Sequence, residues 1–252
     1  MPASKPSNDK ARAGLTARAF TERLLALQDD EELRKIQRYF KSGEGEYGHG
    51  DKFVGVRMGS IFALAKEFAQ MPLKEIEKLL DSDVHESRVG ALSIMAKQYP
   101  LKTTTDEGRK ALYDLYLRRH DRINNWDLVD LAAWHVVGPW LVDKPRAILH
   151  KLAKSRNMWE RRTAILSTFS FIRRGEFDDT FTIAKVLLKD EENLSHKAVG
   201  WMLRSVGDKD RGALVAFLDE HAAVMPRAML SNAIEKFAAP DKARYRALKP
   251  ED

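Results

Sequence analysis

From Val56 to the end, the chain keeps one hydrophobic period of about 3.6 residues and never the alternation of a sheet, which restricts it to an all-α architecture. The helical segments also recur in pairs. Short segments ending in aliphatic residues and a polar turn precede longer ones that open with a basic residue. Leu79-Leu80-Asp81-Ser82-Asp83 comes before Arg88-Val89-Gly90-Ala91-Leu92. Leu152-Ala153-Lys154 comes before Arg161-Arg162-Thr163-Ala164-Ile165-Leu166, and Leu187-Leu188-Lys189-Asp190 before His196-Lys197-Ala198-Val199-Gly200-Trp201. The last two units lie about 36 residues apart, and the first two about twice that.

A degenerate two-helix repeat at this spacing predicts an α-solenoid of HEAT-like helical pairs, curved, with a concave face lined by the second helix of each pair. Small residues at Gly90, Ala91, Ala164, Ala198 and Gly200 would let paired helices approach closely. The pattern predicts helices over 57–70, 73–81, 84–99, 105–120, 125–141, 145–153, 157–173, 178–188, 193–206, 209–220, 226–238 and 241–247. Two more are expected upstream, one carrying Leu15, Phe20 and Leu24 and one over 30–41. Residues 1–10, rich in Pro, Ser and Lys, read as a disordered lead, and 11–252 as a single domain. Between residues 41 and 57, five glycines forbid an ordinary helix, and a long connection of this kind is often functional. It lacks the GxxxxGK[ST] pattern of a nucleotide-triphosphate loop.

The absence of cysteine excludes disulfides, thiolate nucleophiles and zinc fingers. No HExxH, no His pair four residues apart and no GxSxG elbow points to a metal hydrolase or a serine hydrolase. No apolar run spans a bilayer, and the start lacks the apolar core of a signal peptide, so a soluble cytoplasmic protein is expected. A net charge of +6 and a pI near 9.4 favour a polyanionic partner.

The segment Asn124-Asn125-Trp126-Asp127-Leu128-Val129-Asp130-Leu131-Ala132-Ala133-Trp134 carries the chemistry. Trp126, Asp130 and Trp134 are four residues apart, so a helix would put indole, carboxylate and indole on one face. A carboxylate in such an apolar run requires a partner or a solvent-filled groove. Either Asp127 and Asp130 bind neighbouring helices while the tryptophans fill the core, or the helix lines a functional groove. In the second case Arg88, Arg161, Arg162, Lys197, Arg204 and Arg227 would make the facing surface basic and suited to a phosphate backbone. A buried salt-bridge network is the competing reading for each arginine. Tyr39 would close the groove, whereas Trp134, Trp140 and Trp159 read as core or interface residues. A fixed carboxylate beside indole faces suits hydrolysis of an N-glycosidic bond, whose transition state carries positive charge on the sugar.

Three ordered stretches carry a resemblance: Asn125-Trp126-Asp127-Leu128-Val129-Asp130, Trp159-Glu160-Arg161-Arg162-Thr163-Ala164-Ile165-Leu166 and Lys197-Ala198-Val199-Gly200-Trp201-Met202-Leu203-Arg204. With them the chain, from about 25 to 245, resembles the AlkD family of HEAT-like-repeat DNA glycosylases. The resemblance implies a monofunctional glycosylase that removes N3- and N7-alkylated purines from duplex DNA without flipping the base into a pocket. It implies no metal or redox cofactor. Asp130 matches the catalytic aspartate of the family, Trp126 and Trp201 its groove tryptophans, Arg162 its backbone-contacting arginine and Tyr39 a tyrosine at the DNA face. Arg57 stands where the best-known members carry glutamine, and the glycine-rich loop is longer than theirs. The expected partner is double-stranded DNA containing alkylated bases, bound by a monomer with no obligate protein partner. The alternative is a non-catalytic binder of branched or damaged DNA on the same scaffold.

Overall fold

The computed structural model describes residues 14–248, and the expected disordered lead at 1–10 lies outside them. The described chain is helical, with an isolated parallel bridge between Lys52 and Val84 and no strand. No helix among the described residues is long and apolar enough to cross a membrane. The chain divides into two compact units after Ala132.

The first unit contains α1 (Ala17–Leu25), α2 (Asp30–Tyr39), α3 (Met58–Glu67), α4 (Leu73–Leu80), α5 (His85–Gln98), α6 (Asp106–Arg118), a 3-10 turn at His120–Arg122 and α7 (Trp126–Ala132). Side-chain oxygens of Thr16, Asp29 and Thr105 accept backbone N–H groups at the starts of α1, α2 and α6, where the first turn has no internal partners. Helix α5 is the axis of this unit. Every residue from His85 to Met95 is buried, and α3, α4 and α7 all pack against it. The amphipathic stripe expected of a surface helix is therefore absent from α5. Helix α2 is the opposite case: none of its residues is buried.

The second unit opens with a π-helical turn at Ala133–Val137, followed by α8 (Gly138–Leu141), α9 (Ala147–Leu152), α10 (Met158–Ser167), α11 (Phe169–Ile172), α12 (Asp178–Leu187), α13 (Asn193–Lys209), α14 (Arg211–His221), α15 (Arg227–Ala233) and α16 (Ala239–Ala247). Helices α9 and α12 pack on α10 and α13 as the repeat predicts, and a ladder runs from α10 to α13 to α15, although the alternation of short with long ends there, since α15 has 7 residues against 11 in α14. Nearest-neighbour stacking of this kind is how a helical repeat buries its core.

Close approach along the ladder depends on Gly200. A Cβ there would lie 2.4 Å from the Met229 carbonyl oxygen and 2.6 Å from Asn232 Cβ. Gly200→Ala gains helix propensity but overpacks against backbone, so a net loss of about 1–2 kcal/mol is expected. A urea-unfolding midpoint at or above wild type would contradict this contact.

Two expected helices are interrupted. The segment 125–141 passes from α-helix into the π turn at Ala133, ahead of Pro139, which has no N–H to give to the ladder and crowds the carbonyl four residues earlier. The α-helical register of Trp126 and Asp130 therefore ends before Trp134. The segment 157–173 breaks at Thr168. There the Ser167 hydroxyl donates to the Thr163 carbonyl and the Thr168 hydroxyl to the Ile165 carbonyl, both at 2.7 Å, in competition with backbone donors.

Candidate nucleic-acid interface and its buried anchor

In the first unit, Trp126 opens α7 and Asp130 follows one turn later, both half-buried, while Asp127 between them is 3% exposed. Asp127 caps its own helix by accepting the Leu128 N–H at 2.9 Å, and its other oxygen lies 2.8 Å from His85 Nε2. His85 Nδ1 lies 3.2 Å from Asp51. Arg88 completes the chain with a bond of 2.5 Å to Asp51, and Asn124 and Asn125 donate to the same carboxylate at 3.1 and 3.3 Å.

The side chains of Asp51, His85, Arg88 and Asp127 are all nearly sealed from solvent. Burial pushes the His85 pKa down, but the charge of Asp127 and the hydrogen bonds to Asp127 and Asp51 outweigh it and raise the value to about 9. Burial likewise opposes ionisation of Asp51, and the His85 bond and the Arg88 charge overcome it, holding its carboxyl well below the usual range. With His85 protonated, two carboxylates face two cations and the buried cluster is neutral.

This cluster ties the glycine-rich segment to α5 and α7. Glu86 makes a second tie, its carboxylate accepting the backbone N–H groups of Val54, Gly55 and Val56 at 3.0–3.4 Å. Gly55 has φ +80°, and a Cβ there would lie 2.3 Å from the Asp29 carbonyl oxygen, so the chain passes under the start of α2 only as glycine. The fixed loop delivers Tyr47, whose hydroxyl accepts the Trp126 Nε1–H at 3.3 Å. The Trp126 ring stacks on Phe40 at 5.4 Å and meets the edge of Tyr39 at 5.8 Å. Tyr39 is 66% exposed. Arg57 is exposed and bonded to Glu32 at 2.8 Å.

In the second unit, Trp201 on α13 is half-buried and packs edge-on against Trp134, with centroids 4.8 Å apart; Trp134 also contacts Phe169. Arg162 is buried, and its Nη1 donates to the Leu194 carbonyl at 2.6 Å. Arg161 forks onto Asp190 at 2.6 and 2.9 Å and also donates to the carbonyls of Ser155 and Arg156. Arg204 pairs with Glu235 and Arg227 with the Arg246 carbonyl. Lys197 is exposed. Among the described residues, no group of three or more His, Asp or Glu side chains is arranged to hold a metal ion.

A sequence model of the family described as DNA alkylation repair enzyme matches residues 20–237. The chain belongs to that family. No curated protein matches it. Among solved structures, it is similar to a predicted DNA alkylation repair enzyme from Enterococcus faecalis, with a TM-score of 0.65 and 19% identity over 84% of this chain and 97% of that one. At that identity the likeness is one of fold. Membership in the DNA alkylation repair enzyme family makes DNA the substrate and repair of alkylation the role.

Against this family background, the residues singled out in the sequence separate into groups. Trp126, Tyr39 and Arg57 come together in the first unit around one pocket wall, with Asp130 one turn along α7. Lys197, Arg162, Trp201 and Arg204 are carried by α10 and α13 in the second. Arg88 does not belong to a basic face: it is 4% exposed and neutralised by Asp51, because α5 is buried on all sides. Trp134, read as core or interface, is the direct packing partner of Trp201. Asp51, His85 and Tyr47 were not singled out as site residues. His85 opens the run leading to Arg88, but its partners lie 34 and 42 residues away, which spacing does not show.

Proposed function

We propose that this member of the DNA alkylation repair enzyme family is a monofunctional DNA glycosylase acting on N3- and N7-alkylated purines in duplex DNA. The observation that carries this reading is Asp130, a half-exposed carboxylate one turn from Trp126 on a helix whose start is fixed by a neutral buried ion cluster. Alkylation at N3 or N7 makes the base cationic. When the C1′–N bond breaks, the bonding electrons return to the base, which leaves neutral, and positive charge moves to the deoxyribose. Asp130 stabilises that charge and orients the water whose oxygen then bonds to C1′ as its proton passes to the surrounding solvent. No general acid is needed, because the leaving group already carries its positive charge. One carboxylate is enough, unlike the pair used on neutral glycosides.

Trp126, one turn from Asp130, offers an aromatic face to the cationic sugar, and Trp201 offers one to DNA from within the second unit. Tyr39 and Arg57 in the first unit, and Lys197 and Arg204 in the second, are the DNA-contacting groups in this reading; Arg162, expected at the backbone, is 5% exposed and bonded to the Leu194 carbonyl, so it serves as a positioning residue within its repeat. Arg161, with its guanidinium divided between Asp190 and two carbonyls, acts instead as a clamp within its repeat.

Lys197 gives the cleanest test of a phosphate contact because its side chain is exposed and its removal leaves the core intact. Lys197→Ala is expected to weaken duplex binding and to reduce the slope of log K against log salt by about 0.9. An unchanged slope would remove Lys197 from the interface. The activity itself is tested by incubating purified protein with methylated duplex DNA. Free 7-methylguanine released above spontaneous depurination supports the reading, and release at the spontaneous rate overturns it.

A further inference from the structure

The contacts that hold the Trp126 ring restrain different motions. Phe40 stacks on one face with an interplanar angle of 17°, and Tyr39 meets the ring edge-on at 72°. A stacked face resists tilting but leaves rotation within the plane, and the outer torsion of a tryptophan side chain has two broad minima. The hydrogen bond at the ring edge removes that freedom. Trp126 Nε1–H donates to the Tyr47 hydroxyl at 3.3 Å, so one edge of the indole must point at Tyr47. A flipped ring would give up this bond at a half-buried position.

Tyr47 is itself fixed. It donates its hydroxyl proton to the Tyr39 carbonyl oxygen at 3.4 Å, so hydrogen bonds run without a break from Trp126 through Tyr47 to the end of α2. Burial raises the pKa of the phenol, which therefore keeps the proton that the second bond requires. The chain is tied down on both sides of the tyrosine. Before it, the Glu46 carboxylate accepts the Gly43 N–H at 3.0 Å. After it, the Gly48 N–H donates to the Lys41 carbonyl at 3.3 Å, and Asp51 enters the buried cluster with His85 and Arg88. The glycine-rich segment is thus a brace against α7.

This brace joins Trp126 to Tyr39, the two aromatic groups of the first unit that the proposed function sets against DNA. It also engages the indole N–H inside the protein, so Trp126 acts through its ring face and not as a donor to phosphate. We propose that Tyr47 is a positioning residue for the glycosylase reaction, its hydroxyl selecting the orientation in which Trp126 presents beside Asp130 the face that Phe40 leaves uncovered. The proposal rests on the glycosylase reading of Asp130. Tyr47 touches neither sugar nor base in this account, and its effect passes through Trp126.

Tyr47→Phe deletes the hydroxyl and keeps the ring. Single-turnover release of 7-methylguanine and affinity for the methylated duplex are measured for wild type, Tyr47→Phe, Trp126→Phe and the double variant. Tyr47→Phe is expected to release base about fivefold more slowly, with a dissociation constant near that of wild type. On the Trp126→Phe background the same change is expected to have no further effect, because the N–H that the hydroxyl serves is gone. An unchanged rate in Tyr47→Phe would overturn the proposal, and so would a loss of full size on the Trp126→Phe background, which would mean that the hydroxyl acts on DNA directly. The indole Nε1–H proton resonance of Trp126, assigned by its absence from Trp126→Phe, reads the bond without DNA. It should move upfield in Tyr47→Phe, and an unmoved resonance overturns the proposal even where 7-methylguanine is released. A moved resonance with no release by wild type would keep the bond and overturn the glycosylase reading instead.

Discussion

Asp51→Ala is expected to lower the unfolding free energy by about 3–5 kcal/mol, because it strands Arg88 as a buried cation without its counterion and leaves His85 with Asp127 alone. The loop carrying Tyr47 loses its tie to α5 and α7 in the same variant, so Trp126 fluorescence should shift even where the protein stays folded. Urea unfolding followed by far-UV circular dichroism gives the first quantity and tryptophan emission the second. A loss within about 1 kcal/mol would be that of an exposed pair and would contradict a buried cluster.

The cluster also fixes a pH dependence. The His85 pKa is raised in the folded state from 6.5 to about 9, so its contribution is fully present below pH 6.5 and is lost as pH rises through about 9. Asp51 works in the other direction: its folded value is depressed, so its contribution is present above about pH 4 and is lost on acidification below that. Stability from the cluster is therefore greatest between about pH 4 and 6.5. Wild type should lose stability between pH 6.5 and 9, and Asp51→Ala should lose less over the same interval.

Much of the fold was legible because short-range rules determine it. The 3.6-residue period located the helices, and the pairing of short with long helices anticipated the step of the ladder from α10 to α13. The small residue at Gly200 marked a contact that the structure places against Met229. Where the expectation failed, side-chain chemistry competed with the helical ladder, as at Pro139 and at the hydroxyls of Ser167 and Thr168. The candidate site was legible in part. Trp126 and Asp130 sit on one helix, so their spacing alone placed them together. Of the two readings for Asp127, the structural one holds, since its carboxylate is occupied by His85 and the Leu128 N–H. The anchor itself was hidden because Asp51 lies in a glycine-rich stretch with no periodicity, more than 70 residues from Asn124 and Asn125. Arg88 had the sequence context of a surface cation, and only the burial of α5 from His85 to Met95 assigns it to the interior.

Asp130→Asn is the substitution with the largest expected effect on activity. It keeps the size and shape of the side chain and removes the negative charge that would face the developing sugar cation. Loss of such a fixed charge costs at least about tenfold in the rate of bond cleavage. It should not weaken duplex binding, because a carboxylate contributes no attraction to a phosphate backbone. A contribution confined to the transition state lowers the rate constant at saturating protein and leaves the dissociation constant near that of wild type.

The most direct measurement is therefore single-turnover release of 7-methylguanine from one methylated duplex by wild type and by Asp130→Asn, with the affinity of each for that duplex determined alongside. The account predicts release by wild type, at least about tenfold slower release by Asp130→Asn, and equal affinities. Equal release rates for the two proteins, or no release by either, would contradict it.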